Sequence, residues 1–259
     1  MAGAAHARRQ ASGVRPATGV ILAVDTTDPV QAERWIAAAG PSCGAIKLGL
    51  EFTYACGLDA AVRLAQGRRL FLDLKLHDIP NTVASAVRAL APVRPAMLTI
   101  HAAGGSAMVA AARQAIDDSA PEGERPILLA VTVLTSLDSE ALAATGVSGG
   151  PRQQVLRLAR LAIAAGADGL VCSPHEVSAL RDMLGDDPCL VVPGVRPDGA
   201  AVGDQKRVMT PEEAQRAGAD WIVVGRPITR DADPADAAAR IARALAEDHA
   251  AFNARVDRR

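Results

Sequence analysis

Eight short apolar runs punctuate the chain: GVILAVD (19–25), AIKLGL (45–50), LFLDLKL (70–76), AMLTIHA (96–102), ILLAVTVL (127–134), DGLVCS (168–173), CLVVPGV (189–195) and WIVVGR (221–226). They are continuous rather than alternating, the pattern of parallel strands covered on both faces. Between them, segments 29–39, 57–65, 82–91, 152–165 and 234–246 place Ala and Leu at helical spacing. Punctuation supports the alternation. In SPHE, Ser173 is placed to cap a helix with Pro174 at its first position and Glu176 at its third, and Thr210, Pro211 and Glu213 repeat the arrangement in TPEE. The echo of AGADGLV (165–171) in AGADWIVV (217–224) reads as a helix-end glycine turning into a strand twice over. Eight strand–helix units predict an α/β fold, the (β/α)8 TIM barrel. A doubly wound open sheet would want a GxGxxG turn after an early strand, and the sequence has none.

Composition narrows what such a barrel does. The 259 residues suffice for one large domain, expected over 18–259, with an Ala/Arg-rich, acid-free stretch over 1–17 expected as a disordered tail rather than a transit peptide. No apolar core of a signal peptide is present, which disfavours secretion. Lys+Arg number 28 against Asp+Glu 29, which argues against a nucleic-acid or membrane-surface partner, and no run of about 18 apolar residues suggests a membrane span. Cys43, Cys56, Cys172 and Cys189 are scattered without CxxC spacing and read as reduced thiols of a cytoplasmic protein. Among the 28 basic residues only Lys47, Lys75 and Lys206 are lysine, so a compact ammonium was wanted where an arginine would not substitute.

Two of those lysines sit inside strands, beside further charge. LDLKLHDIPNT (72–82) carries Asp73, Lys75 and Asp78 where a buried strand should have no charge. In a barrel, polar residues at the C-terminal strand ends mark the active site. Those ends present Asp25, Lys47, Asp73 with Lys75, His101, Thr135, Ser173, Arg196 and the pair Gly225–Arg226. Asp73 and Lys75, two apart, are expected to share one face of their strand, and alternating carboxylates and ammoniums keep one another ionised where water is scarce. A single pair of this kind is more readily a structural ion pair. Several at consecutive strand ends point to a functional site.

The second half suggests a phosphate site. VPGVRPDGA (192–200), GDQ (203–205) and VVGRPIT (223–229) bring glycines whose backbone amides can approach an oxyanion, with Arg196, Gln205 and Arg226 beside them. His77 and His101 lie near Asp73 and Asp78, but no HxH or HExxH spacing occurs and Lys75 would repel a cation, so no metal is assigned. The GxSxG spacing occurs only in GVSGG (146–150), which does not follow a strand-like run as a nucleophile elbow would, and the cysteines lack the electropositive setting a nucleophile needs.

With these residues assembled, the sequence resembles the orotidine 5′-phosphate decarboxylase family. The resemblance rests on LAVD (22–25), IKLG (46–49), DLKLHDIPNT (73–82), VTVLTS (131–136), PGVRP (193–197), GDQKRVMTP (203–211) and VVGRPI (223–228). It implies conversion of orotidine 5′-phosphate to UMP and CO2 in de novo pyrimidine synthesis, without cofactor or metal, by a homodimer whose active sites are shared at the interface. By motif position, the resemblance makes Lys75 the proton donor to C6 and sets Asp73 against the departing carboxylate, with Lys47 and Asp78 completing the array. Asp78 and Thr82 would reach the partner's site, and Ile79 between them is a substrate-binding position. Asp25 and Lys47 would hold the ribose, Thr135 the pyrimidine (a role Ser136 could share), Gln205 both base and phosphate, and Arg196, Gly225 and Arg226 the phosphate. Rival readings are a metal-dependent sugar-phosphate decarboxylase or aldolase on the same barrel, a Schiff-base aldolase using Lys75, and a non-catalytic phosphate-binding barrel. HDIPNT and the GDQ loop speak against the first, and the Asp–Lys array against the last.

Overall fold

The computed structural model describes residues 16–121, 123–197 and 209–256, so Gln205, Lys206 and most of the expected tail lie outside the described residues. All eight apolar runs form strands: β1 Gly19–Ala23, β2 Ala45–Gly49, β3 Leu70–Leu76, β4 Met97–His101, β5 Ile127–Val131, β6 Gly169–Val171, β7 Cys189–Pro193 and β8 Trp221–Val224. Each pairs in parallel with the next, and β8 pairs with β1, closing the barrel. The intervening helices are α1 Pro29–Ala39, α2 Leu50–Leu64, α3 Pro80–Leu90, α4 Gly105–Ser119, α5 Ser139–Ala144, α6 Pro151–Ala164, α7 Val177–Leu184, α8 Pro211–Ala217, α9 Arg226–Thr229 and α10 Pro234–Val256.

The reasons are local. Asp28 caps α1, its carboxylate accepting the Val30 amide at 2.9 Å, with Pro29 opening the first turn. Thr210 and Glu213 cap α8 reciprocally, at 2.9 and 3.2 Å. Both echoed glycines, Gly166 and Gly218, have left-handed φ of 99° and 106°. The aspartates that close each echo do parallel work at the barrel floor. Asp168 accepts the Leu128 amide (2.7 Å) and Arg113 (2.9 Å), while Asp220 accepts the Leu190 amide (2.7 Å) and Arg181 (2.8 Å). Two helices depart from expectation: α10, expected over 234–246, runs on to Val256. The segment expected over 57–65 begins seven residues earlier, at Leu50, and bends at Gly57, whose φ of 80° breaks the α geometry.

Apolar side chains form two bodies. Ile21, Ala23, Phe71, Met97, Leu129, Val191 and Val223 fill the barrel, and a larger cluster packs the strands' outer faces against the helices. Trp221 seals the floor so closely that a Cβ on Gly19 or Gly44 would lie 2.4 or 2.8 Å from its ring. At the other end, the inward positions of several strands become charged.

Candidate active site

Strand register sets the heights of these charges. Lys47 lies level with Ala23 and Phe71, whereas Asp73 pairs with Gly49, one inward-facing layer higher. Lys47 is buried in β2, and its ammonium rises past Gly49 to reach Asp25 Oδ1 at 3.0 Å and Asp73 Oδ2 at 3.6 Å. A Cβ on Gly49 would stand 3.1 Å from Lys47 Nζ, so the missing side chain is what leaves the lysine its path. Lys75 Nζ meets the same Asp73 Oδ2 at 2.7 Å. Asp25, Lys47, Asp73 and Lys75 thus form one chain of alternating charge with no net charge among them.

Asp73 and Lys75 do meet, but not through simple strand alternation. The β3–β4 register runs from Leu72↔Leu98 to Leu76↔Ile100, so β3 spends four steps where β4 spends two. The extra residues bulge out, and Lys75 takes a left-handed φ of 50°. Its displaced backbone amide donates to Thr99 Oγ1 at 2.9 Å, and the Thr99 hydroxyl donates to Asp73 Oδ1 at 3.0 Å. For Asp73, burial opposes ionisation, but the charges of Lys47 and Lys75 and hydrogen bonds from Lys75 and Thr99 outweigh it, holding the carboxyl below the usual aspartate range. Burial likewise disfavours the Lys47 ammonium, and Asp25 and Asp73 together more than reverse this, raising its pKa. Removing Lys47 or Asp73, the two least exposed members, would leave an uncompensated charge.

The cleft above the array has two lobes that share Lys47, Asp73, Pro193 and Val223. One, of about 200 Å3, is walled by Phe71, Val131, Val133, Leu134, Val171 and Cys172, with Lys75 and Thr135 at its polar edge. The other, of about 220 Å3, is bordered by Asp25, Gly194, Arg196, Gly225 and Arg226. Arg196 is anchored by its amide to the Met209 carbonyl at 3.0 Å, where the chain re-enters the described residues. Asp25, Lys47, Asp73, Lys75, Thr135, Arg196, Gly225 and Arg226 are therefore gathered at one mouth. Asp78, Ile79 and Thr82 are not. They stand exposed beyond β3 and at the start of α3, and Asp78 accepts the adjoining Ile79 amide at 2.7 Å. His77 does not join the array either; it packs against His101 with ring centroids 5.3 Å apart. Among the described residues, no three His, Cys, Asp or Glu side chains gather as a metal site would require.

Lining Val133, Leu134 and Val171, the supporting Thr99 and the permissive Gly49 had gone unnoticed in the sequence. Thr99 had a signal, a lone hydroxyl inside the apolar run AMLTIHA, whereas the valines looked like any strand.

A family model described as Orotidine 5′-phosphate decarboxylase / HUMPS family matches residues 18–241. The chain belongs to this family. Within the orotidine 5′-phosphate decarboxylase / HUMPS family, it is 60% identical over 230 residues to a protein of Gluconobacter oxydans (strain 621H) named orotidine 5′-phosphate decarboxylase, covering 88% of this chain and 98% of that one. A protein of the same name from Anaeromyxobacter sp. (strain K) is 55% identical over 234 residues, 90% of this chain and all (100%) of the relative. The crystal structure of orotidine 5′-phosphate decarboxylase from Lactobacillus acidophilus superimposes with a TM-score of 0.78 at 38% identity, covering 90% of this chain and 99% of that one.

Proposed function

We propose that this protein decarboxylates orotidine 5′-phosphate to UMP and CO2, in pyrimidine biosynthesis, with Lys75 as the proton donor to C6. The observation that carries the reading is the two-lobed cleft, one lobe apolar and one bearing arginines, joined over the Asp25–Lys47–Asp73–Lys75 array. A flat pyrimidine suits the first lobe and a phosphate the second, with Arg196, Arg226 and the backbone at Gly225 as its partners; Gln205, between β7 and β8 in sequence, is a further proposed partner by family resemblance. Lys47 lies between the lobes and Asp25 borders the second beside it, where the ribose hydroxyls would fall, and Thr135 edges the base.

The chemistry follows from the charges. Breaking the C6–carboxylate bond releases CO2 and leaves its electron pair on a ring carbon with no external electron sink. An ammonium at that carbon stabilises the developing charge and then gives its proton to form the C–H bond; the neutral amine regains a proton from water. Asp73, beside the departing carboxylate, would add roughly 4 kcal/mol of repulsion at a separation of about 4 Å and an effective dielectric near 20. Its removal as CO2 relieves that repulsion. Grip on the remote phosphate offsets the cost of binding substrate in that position.

The same reading makes the active unit a homodimer. Exposed Asp78, Ile79 and Thr82, close to a mouth they do not enter, support their service in the second chain's site. Tyr54, 84% exposed on α2, and Ile79, 66% exposed, supply apolar surface for the contact. No helix among the described residues is long and apolar enough to cross a membrane. Four cysteines that form no disulfide, with burial pushing the Cys43 thiol up to about 11, suit a reducing cytoplasm. The test is loss of orotidine 5′-phosphate absorbance with EDTA present throughout. Steady conversion to UMP is expected, without added cofactor. Absence of conversion sinks the reading, and conversion abolished by EDTA and restored by a divalent metal would return it to a metal-dependent barrel enzyme.

A further inference from the structure

Thr99 is fully buried on β4, in a strand otherwise built from Met97, Leu98 and Ile100 until it reaches His101. A buried hydroxyl costs stability unless it is bonded. Both of its bonds go to the neighbouring strand, to Asp73 Oδ1 and to the Lys75 amide, at 3.0 and 2.9 Å. Inside the bulge, Lys75 has lost its regular place in the β3–β4 ladder, and a left-handed φ is unfavourable in a residue with a side chain. One hydroxyl therefore replaces the missing ladder acceptor and also fixes the carboxylate that Lys75 leans on. A β-branched side chain is stiff at χ1, which suits it to this double grip.

We propose that Thr99 is a positioning residue: its hydroxyl, through Asp73 and the Lys75 backbone, sets where the Lys75 ammonium stands relative to the reacting carbon. With Oδ1 held by Thr99, Oδ2 is turned to both ammoniums at once, and the strained Lys75 backbone is pinned at the bulge. The inference rests on the decarboxylase reading for its catalytic consequence, but the geometry it asserts is independent of substrate.

The experiment compares Thr99→Val, which keeps shape and removes the hydroxyl, with Thr99→Ser, which keeps the hydroxyl. Thr99→Val should lower kcat about 10²-fold with KM little changed, as a misplaced catalytic group does. Thr99→Ser should stay within about fivefold of wild type, since the hydrogen bonds survive. The acid limb of the kcat–pH profile should move to higher pH in Thr99→Val, because Asp73 loses a donor to its ionised form. A merely structural threonine would alter the folded fraction and leave that limb in place. Labelling with [ε-13C]lysine adds a readout that needs no turnover, since the chain has only Lys47, Lys75 and Lys206 to assign. The Lys75 signal should shift in Thr99→Val and hold in Thr99→Ser. An unmoved Lys75 signal in Thr99→Val, or equal losses in both variants, overturns the proposal. If Thr99→Val does not fold, Thr99→Ala takes its place in the same comparisons. Wild-type protein inert toward orotidine 5′-phosphate would instead strike the functional reading, leaving the lysine spectrum to decide on Thr99.

Discussion

At the scale of single residues, Lys75 and Gly49 make opposite demands on the chain. Lys75 must be present, and its replacement by Ala should cut kcat by about 10⁴-fold, the upper range for loss of a general acid, while UMP binding measured by calorimetry changes far less. Turnover near wild type in that variant would remove Lys75 from the proton transfer. Gly49 must be absent as a side chain. Its Cβ would crowd Lys47 Nζ at 3.1 Å, so Gly49→Ala should push the ammonium aside and lower kcat about tenfold through loss of alignment, with the melting temperature little changed. A Gly49→Ala enzyme of full activity would show that Lys47 has room to spare. The two positions were not equally legible in the sequence. Lysine scarcity in an arginine-rich chain singled out Lys47 and Lys75. Gly49 carries no such signal, because its meaning depends on a neighbour one layer below that only register reveals.

At the scale of elements, the decisive piece is β3 with the segment that leads into α3. Period-two alternation correctly brought Asp73 and Lys75 together but for an incorrect reason: a bulge and a left-handed residue do what a flat strand was expected to do. A sequence does not announce a bulge when the residues within it, Asp-Leu-Lys, still alternate. Beyond the strand, Asp78 through Thr82 are exposed and line neither lobe of their own cleft, so their service to a second subunit is the matter to test. Lys75→Ala and Asp78→Ala chains, each inactive alone, should regain about one quarter of wild-type activity when mixed one to one and allowed to exchange. In a two-fold dimer half the assemblies are mixed, and each mixed assembly has one site with both residues intact. Verified heterodimers that stay inactive would show that each chain completes its own site.

At the scale of the whole molecule, eight apolar runs sufficed to specify a closed barrel, since a parallel sheet of eight units has few other ways to cover its edges. What they did not specify is how the charged rim is held against the pull of water, and that governs pH dependence. The folded pKa of Asp73 lies below its ordinary value near 3.8, so its contribution to stability is complete above that value and is lost as pH falls through the lower, folded one. Lys47 is the mirror case. Its raised pKa stabilises the fold fully below about 10.5, and the contribution disappears only as pH climbs through the higher folded value. Neither sets the first loss on acidification. His101 does: burial, then His77 and Lys75, depress its pKa below the ordinary 6.5, with Asp73 opposing them only in part. The unfolded chain therefore takes up a proton at this residue before the folded chain does, and stability should begin to fall just below 6.5, well before Asp73 titrates. His101→Gln removes the titration while keeping a polar side chain against His77. Thermal melts at stepped pH should show the wild-type melting temperature declining between about pH 7 and 5, the range in which a histidine titrates, and the His101→Gln decline should be shallower. Parallel declines in the two proteins would mean that the rim histidines do not set the acid limit, and that the cost of low pH falls elsewhere in the fold.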